Sequence, residues 1–330
     1  MIYGAFEQLV GPHRDELRLH CYRMLGSSHD ADDMVQETLV RAWRGKESLD
    51  DQRAVRAWLY RIGTNVCIDE LARRAKRAVP SSAGPPGDPN APPVPPSEQA
   101  WIEPCPNTWL GGGPRDPATR IELKESVTLA FVAALQLLTP PQRAVLLLRD
   151  VVGLTAVETA DALEMTVPAA KSALHRARAA VEERPLARGD VGLDADLVAR
   201  YVHAWESADP DAMVALLHEE VMLAMPPSPT WFSGRAATAG FVRAYIVPRA
   251  RMQPVRLVAS GANGRTAFAF YREQWGSLRL EAVHGVSARA GAIVAIDHFL
   301  MPEVFDIFGL SRTLSGTIDH PAFVASDPPR

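Results

Sequence analysis

Thr139-Pro140-Pro141-Gln142, Thr155-Ala156-Val157-Glu158 and Lys171-Ser172-Ala173-Leu174-His175-Arg176-Ala177-Arg178 are three pieces of the stretch 137–183. Each of the first two is a capping box, a hydroxyl residue followed three positions later by a side chain that reaches back, and the first adds Pro at the opening helical position. The first helix runs through Val145, Leu146 and Leu148 and stops at Gly153; the second buries Ala156, Ala160 and Leu163. After the short turn Glu164-Met165-Thr166, a third helix carries one apolar stripe, Val167, Ala170, Leu174, Ala177 and Val181. At about 100° per residue, Ala169, Ser172, His175 and Arg176 face away from that stripe, with Lys171 and Arg178 on its flanks. Small residues near the start with basic ones beside and behind them suit a helix entering the major groove. Ser172 and Arg176 are placed for base edges, Lys171 and Arg178 for phosphates. The stretch therefore reads as a helix-turn-helix that binds duplex DNA. Glu164 occupies the turn position that Gly often fills.

A chain of 330 residues is too long for one ordinary core, so two or three domains are expected. With 47% apolar and 22% charged residues the composition is globular. No run reaches the ~20 apolar residues of a membrane span, and the N-terminus lacks a signal-peptide pattern, so a cytoplasmic protein without membrane contact is expected. Cys21, Cys67 and Cys105 are far apart, which fits a reducing compartment and argues against a metal site or a disulfide framework; no cofactor is expected. The net charge of −4 means that any nucleic-acid surface must come from local Lys and Arg clusters.

Four stretches differ in character. Residues 1–78 have helical apolar spacing. Residues 79–119 are rich in Pro and Gly and read as an extended, semi-rigid linker. Helical spacing returns over 120–186. After a Gly/Asp break, 194–314 opens with helices and continues as short strands separated by turns such as Gly261-Ala262-Asn263-Gly264, an α+β pattern with an antiparallel sheet. The tail 315–330 has little to bury and reads as loose.

In the first stretch Asp30 to Trp43 forms an amphipathic helix, with Val35, Leu39, Ala42 and Trp43 inward and Asp32, Asp33, Gln36 and Glu37 outward. Taken alone, that acidic start suits the helix dipole. The next helix, Arg56-Ala57-Trp58-Leu59-Tyr60-Arg61-Ile62-Gly63-Thr64-Asn65, continues toward Arg73 and Arg74 and combines aromatic, Asn and Arg side chains, a mixture suited to unpaired bases. Trp58 by itself reads as core.

Together with the closing Lys171 to Arg178 segment, these two helices resemble the extracytoplasmic-function group of bacterial sigma-70 factors, in the right order from about Phe6 to Glu183. The resemblance implies that Asp32, Asp33, Gln36 and Glu37 dock on the clamp helices of the largest subunit of RNA polymerase core. It implies that Arg56, Trp58, Arg61, Asn65, Arg73, Arg74 and the loop 46–53 engage and melt the −10 element of promoter DNA. The helix-turn-helix, through Ala169, Lys171, Ser172, His175, Arg176 and Arg178, would read the −35 element beside the flap of the second-largest subunit. Such factors carry no catalytic residues of their own.

Members of this group usually end soon after the helix-turn-helix. Here the residues from Tyr201 to Asp209, Val221 to Pro227, Trp231 to Arg235 and Phe305 to Leu310 resemble SnoaL-like polyketide-cyclase domains, cone-shaped α+β folds with a central cavity. Trp231, Tyr271, Trp275, His284, Asp297 and His298 are the candidates to line that cavity and meet a small-molecule ligand. Asp297 and His298 are neighbours on a strand, so only one of them points inward, which weakens joint acid–base chemistry. The fold class expected is therefore multidomain, two all-α domains followed by an α+β SnoaL-like domain. In the linker, Trp101-Ile102-Glu103-Pro104-Cys105-Pro106-Asn107-Thr108-Trp109-Leu110 resembles a docking segment against the C-terminal domain through Trp101, Pro104 and Trp109. That domain would then regulate in cis, with no separate anti-sigma factor required. The alternatives are a DNA-binding protein fused to an active isomerase or cyclase, and a one-component regulator sensing a ligand; the latter lacks a dimer seam.

Overall fold

α1 (Ile2–Val10), α2 (Arg14–Leu25), α3 (Ser28–Gly45) and α4 (Val55–Leu71) pack around Leu17, Tyr22, Val35, Leu39 and Leu59. In the computed structural model, residues 2–49, 54–111, 117–182 and 193–314 are described. The predicted loose tail, the Gly/Asp break and residues 50–53 lie outside them. A short helix, α5 (Pro80–Ala83), opens the Pro-rich segment, and α6 (Pro117–Glu125) and α7 (Leu129–Leu135) lead into the second helical unit. There α8 (Pro140–Leu146) continues as a wider turn to Val151, followed by α9 (Ala156–Ala162) and α10 (Val167–Glu182). Both capping boxes form: Thr139 N–H donates to Gln142 Oε1 at 3.1 Å and Thr155 N–H to Glu158 Oε2 at 2.7 Å. Glu164 adopts φ 51°, the left-handed turn its position requires.

The two helical units share one buried apolar core that runs from Leu17 and Val35 to Leu147, Leu174 and Val181. Buried Arg143 on α8 fastens the seam, with its guanidinium on Gln136 Oε1 at 2.7 Å and on the Met24 carbonyl.

The third unit begins with α11 (Ala195–Glu206) and α12 (Pro210–Ala215), then β1 (Leu217–Ala224), β2 (Trp231–Ser233), α13 (Arg235–Phe241) and α14 (Val247–Met252). β3 (Val255–Ala262), β4 (Arg265–Gln274), β5 (Ser277–Arg289), β6 (Ala292–Phe299) and β7 (Thr313–Leu314) complete it. The sheet order is β2-β1-β6-β5-β4-β3, with β7 on β5. The expected all-antiparallel sheet is corrected in one place: β1 and β6 pair in parallel, across a long connection of two helices and four strands. Bulges at Phe270/Tyr271 and Ser287/Ala288 bend the long strands. One face of the sheet, with Phe268, Phe270, Val286 and Ile296, packs on α11 and α13; the other, with Ala267, Val283 and Phe299, packs on Trp101, Met301 and Phe305. Among the described residues no helix is long and apolar enough to cross a membrane.

Candidate nucleic-acid interface and the docked C-terminal domain

α10 turns Ala170, Leu174, Ala177 and Val181 into the core and leaves Ala169, Lys171, Ser172, His175, Arg176 and Arg178 exposed along one side. Arg176 Nη1 lies 3.5 Å from Ser172 Oγ, so the two residues assigned to base edges are neighbours. Arg178 is held instead by a two-pronged pair with Asp150, at 2.8 and 2.6 Å, which neutralises much of the charge expected to meet phosphate.

α4 presents Arg56, Arg61 and Asn65 to the second helical unit. Arg56 Nη1 donates to the Val152 carbonyl at 3.2 Å while its Nε donates to Glu16 at 3.0 Å. Asn65 Nδ2 donates to the Ala162 carbonyl at 3.4 Å, capping the open end of α9, and Arg61 pairs with Glu164 at 3.6 Å. Trp58 is half-buried against the helical core. Arg73 and Arg74 are exposed but not free: Arg73 lies 3.7 Å from Glu70, and Arg74 pairs with both Glu70 and Asp30. Burial pushes the Asp30 carboxyl up, but Arg77 and Arg74 outweigh it and hold it below the usual carboxylate range. On α3, Asp33 and Gln36 are open to solvent, Asp32 is paired with Arg18 at 2.7 Å and Glu37 with Arg41 at 2.7 Å. A groove of about 480 Å³ runs between α3 and α4, bordered by Gln36, Glu37, Asp69 and Arg73.

The linker is more than a spacer. Ala78 and Trp101 form a bridge, with Ala78 N–H on Ala100 O and Ile102 N–H on Ala78 O, both at 2.9 Å, so residues 79–100 form a loop whose ends meet. The middle of this strap grips the C-terminal domain along β2, where Gly87 N–H donates to Trp231 O at 2.8 Å and Val94 N–H to Thr230 Oγ1 at 2.8 Å. Beyond the bridge, Glu103 is buried at the start of α3, accepting from Ser27 Oγ at 2.8 Å, Ser28 Oγ at 3.3 Å and His29 N–H at 3.1 Å, with Arg77 at 3.2 Å. The docking motif is thus divided. Trp101 packs on Phe299, Met301 and Phe305 of the C-terminal domain. Trp109, expected on the same surface, is corrected to the first helical unit, with Arg18 5.9 Å from its ring; Pro104 is buried between the two.

Asn263, at the tip of the β3–β4 hairpin, joins all three parts. Its N–H donates to Cys105 O at 2.8 Å and its Oδ1 accepts from Cys105 N–H at 3.1 Å. Its Nδ2 donates to Tyr22 Oη at 2.6 Å and to Val127 O at 2.8 Å.

Of the predicted cavity residues, the fold brings only His284 and His298 together inside the cone. Tyr201 Oη lies 2.6 Å from His284 Nε2, and His284 Nδ1 lies 2.7 Å from His298 Nδ1. Around them the interior is filled by the rings of Trp205, Phe232, Phe241, Phe268 and Phe270. Burial holds His284 well below the ordinary histidine range and His298 at about 3. Asp297 pairs across the sheet with Gly285 while His298 pairs with His284, so the two side chains take opposite faces; burial pushes the Asp297 carboxyl up to about 7. Three expectations are corrected. Trp275 is 86% exposed on the β4–β5 turn. The indole of Trp231 donates to Gly84 O of the strap at 2.9 Å, and the Tyr271 hydroxyl donates to Ser311 O at 2.8 Å.

Residues 9–77 match the Sigma-70 region 2 family, residues 128–181 the Sigma-70 region 4 family, and residues 198–297 the SnoaL-like domain family. The chain is 40% identical over 319 residues to the ECF RNA polymerase sigma factor SigG of Mycobacterium tuberculosis (strain ATCC 25618 / H37Rv), covering 94% of this chain and 85% of the relative. This protein is an extracytoplasmic-function sigma factor. SigJ of the same organism is 29% identical over 311 residues, covering 90% of this chain and 87% of that one. The crystal structure of SigJ shares the fold, at a TM-score of 0.55 and 22% identity, over 92% of this chain and 98% of that chain. As a member of its family the sigma factor binds RNA polymerase core and promoter DNA for transcription initiation. The expectation that no separate anti-sigma factor is required finds no support in these likenesses and is set aside.

Sequence reasoning missed the residues that close this sigma factor on itself. Glu103 lay inside the quoted docking motif, and a carboxylate beside Trp in a Pro-rich stretch was the available signal. Asn263-Gly264 was legible as a hairpin turn, but nothing local marks a turn whose side chain bonds to distant segments.

Proposed function

We propose that the described arrangement is a closed state in which the C-terminal domain and strap restrain the sigma factor in cis. The supporting observation is the use made of region 2: Arg56 and Asn65, assigned to −10 DNA, bond to carbonyls of the helix-turn-helix unit at 3.2 and 3.4 Å. Both sets of DNA-reading residues then belong to one body, and −10 contact requires region 4 to leave. In the open state Asp32, Asp33, Gln36 and Glu37 dock on the clamp helices of the largest polymerase subunit and region 4 sits beside the flap of the second-largest. Arg56, Trp58, Arg61, Asn65, Arg73 and Arg74 engage the −10 element, and Ala169, Lys171, Ser172, His175, Arg176 and Arg178 the −35 element. Under this reading the protein acts in the cytoplasm, and its SnoaL-like domain, filled with aromatic rings, is a packing partner and not an enzyme.

The test is run-off transcription with purified core and full-length chain carrying Asn263→Asp. Asp-Gly keeps the hairpin turn, but the new carboxylate faces the Val127 carbonyl and the Tyr22 oxygen. Transcript from Asn263→Asp, and from a chain ending at residue 182, should rise several-fold over the wild type. Equal or lower output from both overturns the closed-state reading.

A further inference from the structure

The strap crosses the C-terminal domain as two arms joined by a turn, in which Ala91 N–H donates to Asp88 O at 3.1 Å and Asn90 N–H to Asp88 Oδ1 at 2.9 Å. Seven of the fourteen residues from Gly84 to Ser97 are proline. Proline fixes φ and has no N–H, so such a segment is stiff and offers mainly carbonyls. The domain supplies the matching donors. Trp231 Nε1 donates to Gly84 O at 2.9 Å, Tyr245 Oη to Asn90 O at 2.8 Å and Ser228 Oγ to Val94 O at 2.7 Å. In return, the N–H groups of Gly87, Val94 and Ser97 donate to Trp231 O, Thr230 Oγ1 and Pro227 O at 2.8, 2.8 and 3.3 Å.

Two further contacts depend on which residues the strap presents. A Cβ on Gly87 would lie 3.0 Å from Thr230 Cγ2 and 3.3 Å from Phe232 Cε1, so glycine is there for room. Pro89 sits on α13 at Gly240, where a Cβ would fall 3.1 Å from the Pro89 Cβ. Between these points the rings of Phe232, Phe241 and Tyr245 stack, with centroids 4.4 and 5.4 Å apart. Hydroxyl and indole donors on an aromatic floor, facing a proline-rich segment, form the arrangement by which peptide-recognition domains take polyproline ligands. Six of the seven prolines remain exposed and Pro89 is half-buried. The strap is therefore held as a ligand is held, largely by its backbone, and not as part of the core.

We infer that this face of the C-terminal domain is a reader of proline-rich peptides, and that the strap is its ligand in cis, exchangeable for a Gly-x-Pro segment of the same kind presented in trans by another chain. Release of the sigma regions by such a peptide rests on the closed-state reading; peptide binding itself does not. A fluorescent peptide of residues 83–97 is titrated into the full-length chain and into a full-length variant whose residues 84–97 are a Gly/Ser run of equal length. The variant should bind it saturably, and the wild type about tenfold more weakly or less, because its own strap holds the seat at high effective concentration. Full-length Gly87→Val, a single change that crowds Thr230, should admit the peptide as well. In the Gly/Ser variant, Trp231→Phe and Tyr245→Phe each remove one hydrogen bond while keeping a ring, and each should weaken the peptide about fivefold. A peptide carrying Gly87→Val should not compete. No saturable binding to either opened chain, or equal binding of the Gly87→Val peptide, overturns the proposal. Peptide binding that leaves run-off transcript unchanged supports the reader and instead overturns the strap's part in the closed state.

Discussion

His284 and His298 face each other through their Nδ1 atoms, so one ring donates the proton that the other accepts and both stay neutral. In the unfolded chain each would titrate near ~6.5; in the fold His298 is held at about 3 and His284 well below its usual range. The stability they contribute is complete above ~6.5 and is lost as pH falls from there, by up to ~1.4 kcal/mol per pH unit for each ring. Asp297 acts in the opposite sense. Its carboxyl, raised to about 7, takes up a proton on folding, so its contribution weakens as pH rises from ~4 toward 7. Two histidines outweigh one aspartate, and the urea midpoint of the C-terminal domain should be lower at pH 5 than at pH 8. His298→Gln should flatten that slope; equal midpoints at the two pH values in the wild type would refute the argument.

At the scale of elements, one linker carboxylate serves a whole helix. Glu103 lies at the positive end of α3, an 18-residue helix, where its Oε2 accepts one backbone and two hydroxyl donors. Glu103→Ala should cost about 2 kcal/mol, the loss of a cap and of an acceptor for buried groups, whereas Glu103→Gln, which keeps an acceptor oxygen, should cost less than half of that. Thermal unfolding of the two variants checks the order; equal losses would mean that packing, not capping, is what Glu103 supplies. Elements of this kind mark the limit of sequence reading. The helices of regions 2 and 4 are legible because capping boxes and apolar stripes are local, and four of the strands because alternation and Gly turns are local. β1, with half-buried His218 followed by exposed Glu219 and Glu220, lacks that alternation, and its parallel pairing with β6 depends on a partner some 70 residues away.

For the whole molecule, what the sequence concealed is how the parts sit together. Arg56 and Asn65 satisfy carbonyls far along the chain, and no spacing rule links position 65 to 162. Gly264 shows how closely the domains approach: with φ 74°, a Cβ there would fall 2.7 Å from the Lys124 carbonyl oxygen. Gly264→Val should therefore force the C-terminal domain off α6, both by strain and by collision. The radius of gyration from small-angle scattering should increase by several ångströms while the circular dichroism of the helices is retained. An unchanged radius would mean that the domains yield locally instead of parting.

The bridge between Ala78 and Trp101 separates two lengths that are usually equal, the contour of a linker and its working reach. Because the strap returns to its starting point, residues 79–100 add nothing to the tether between region 2 and region 4; that tether begins after the bridge. Insertions or deletions within the strap would therefore change the hold on β2 and leave the distance between the two DNA readers untouched. Under the closed-state proposal, the hold on β2 and the separation of regions 2 and 4 can therefore vary independently, in adjacent stretches of one linker.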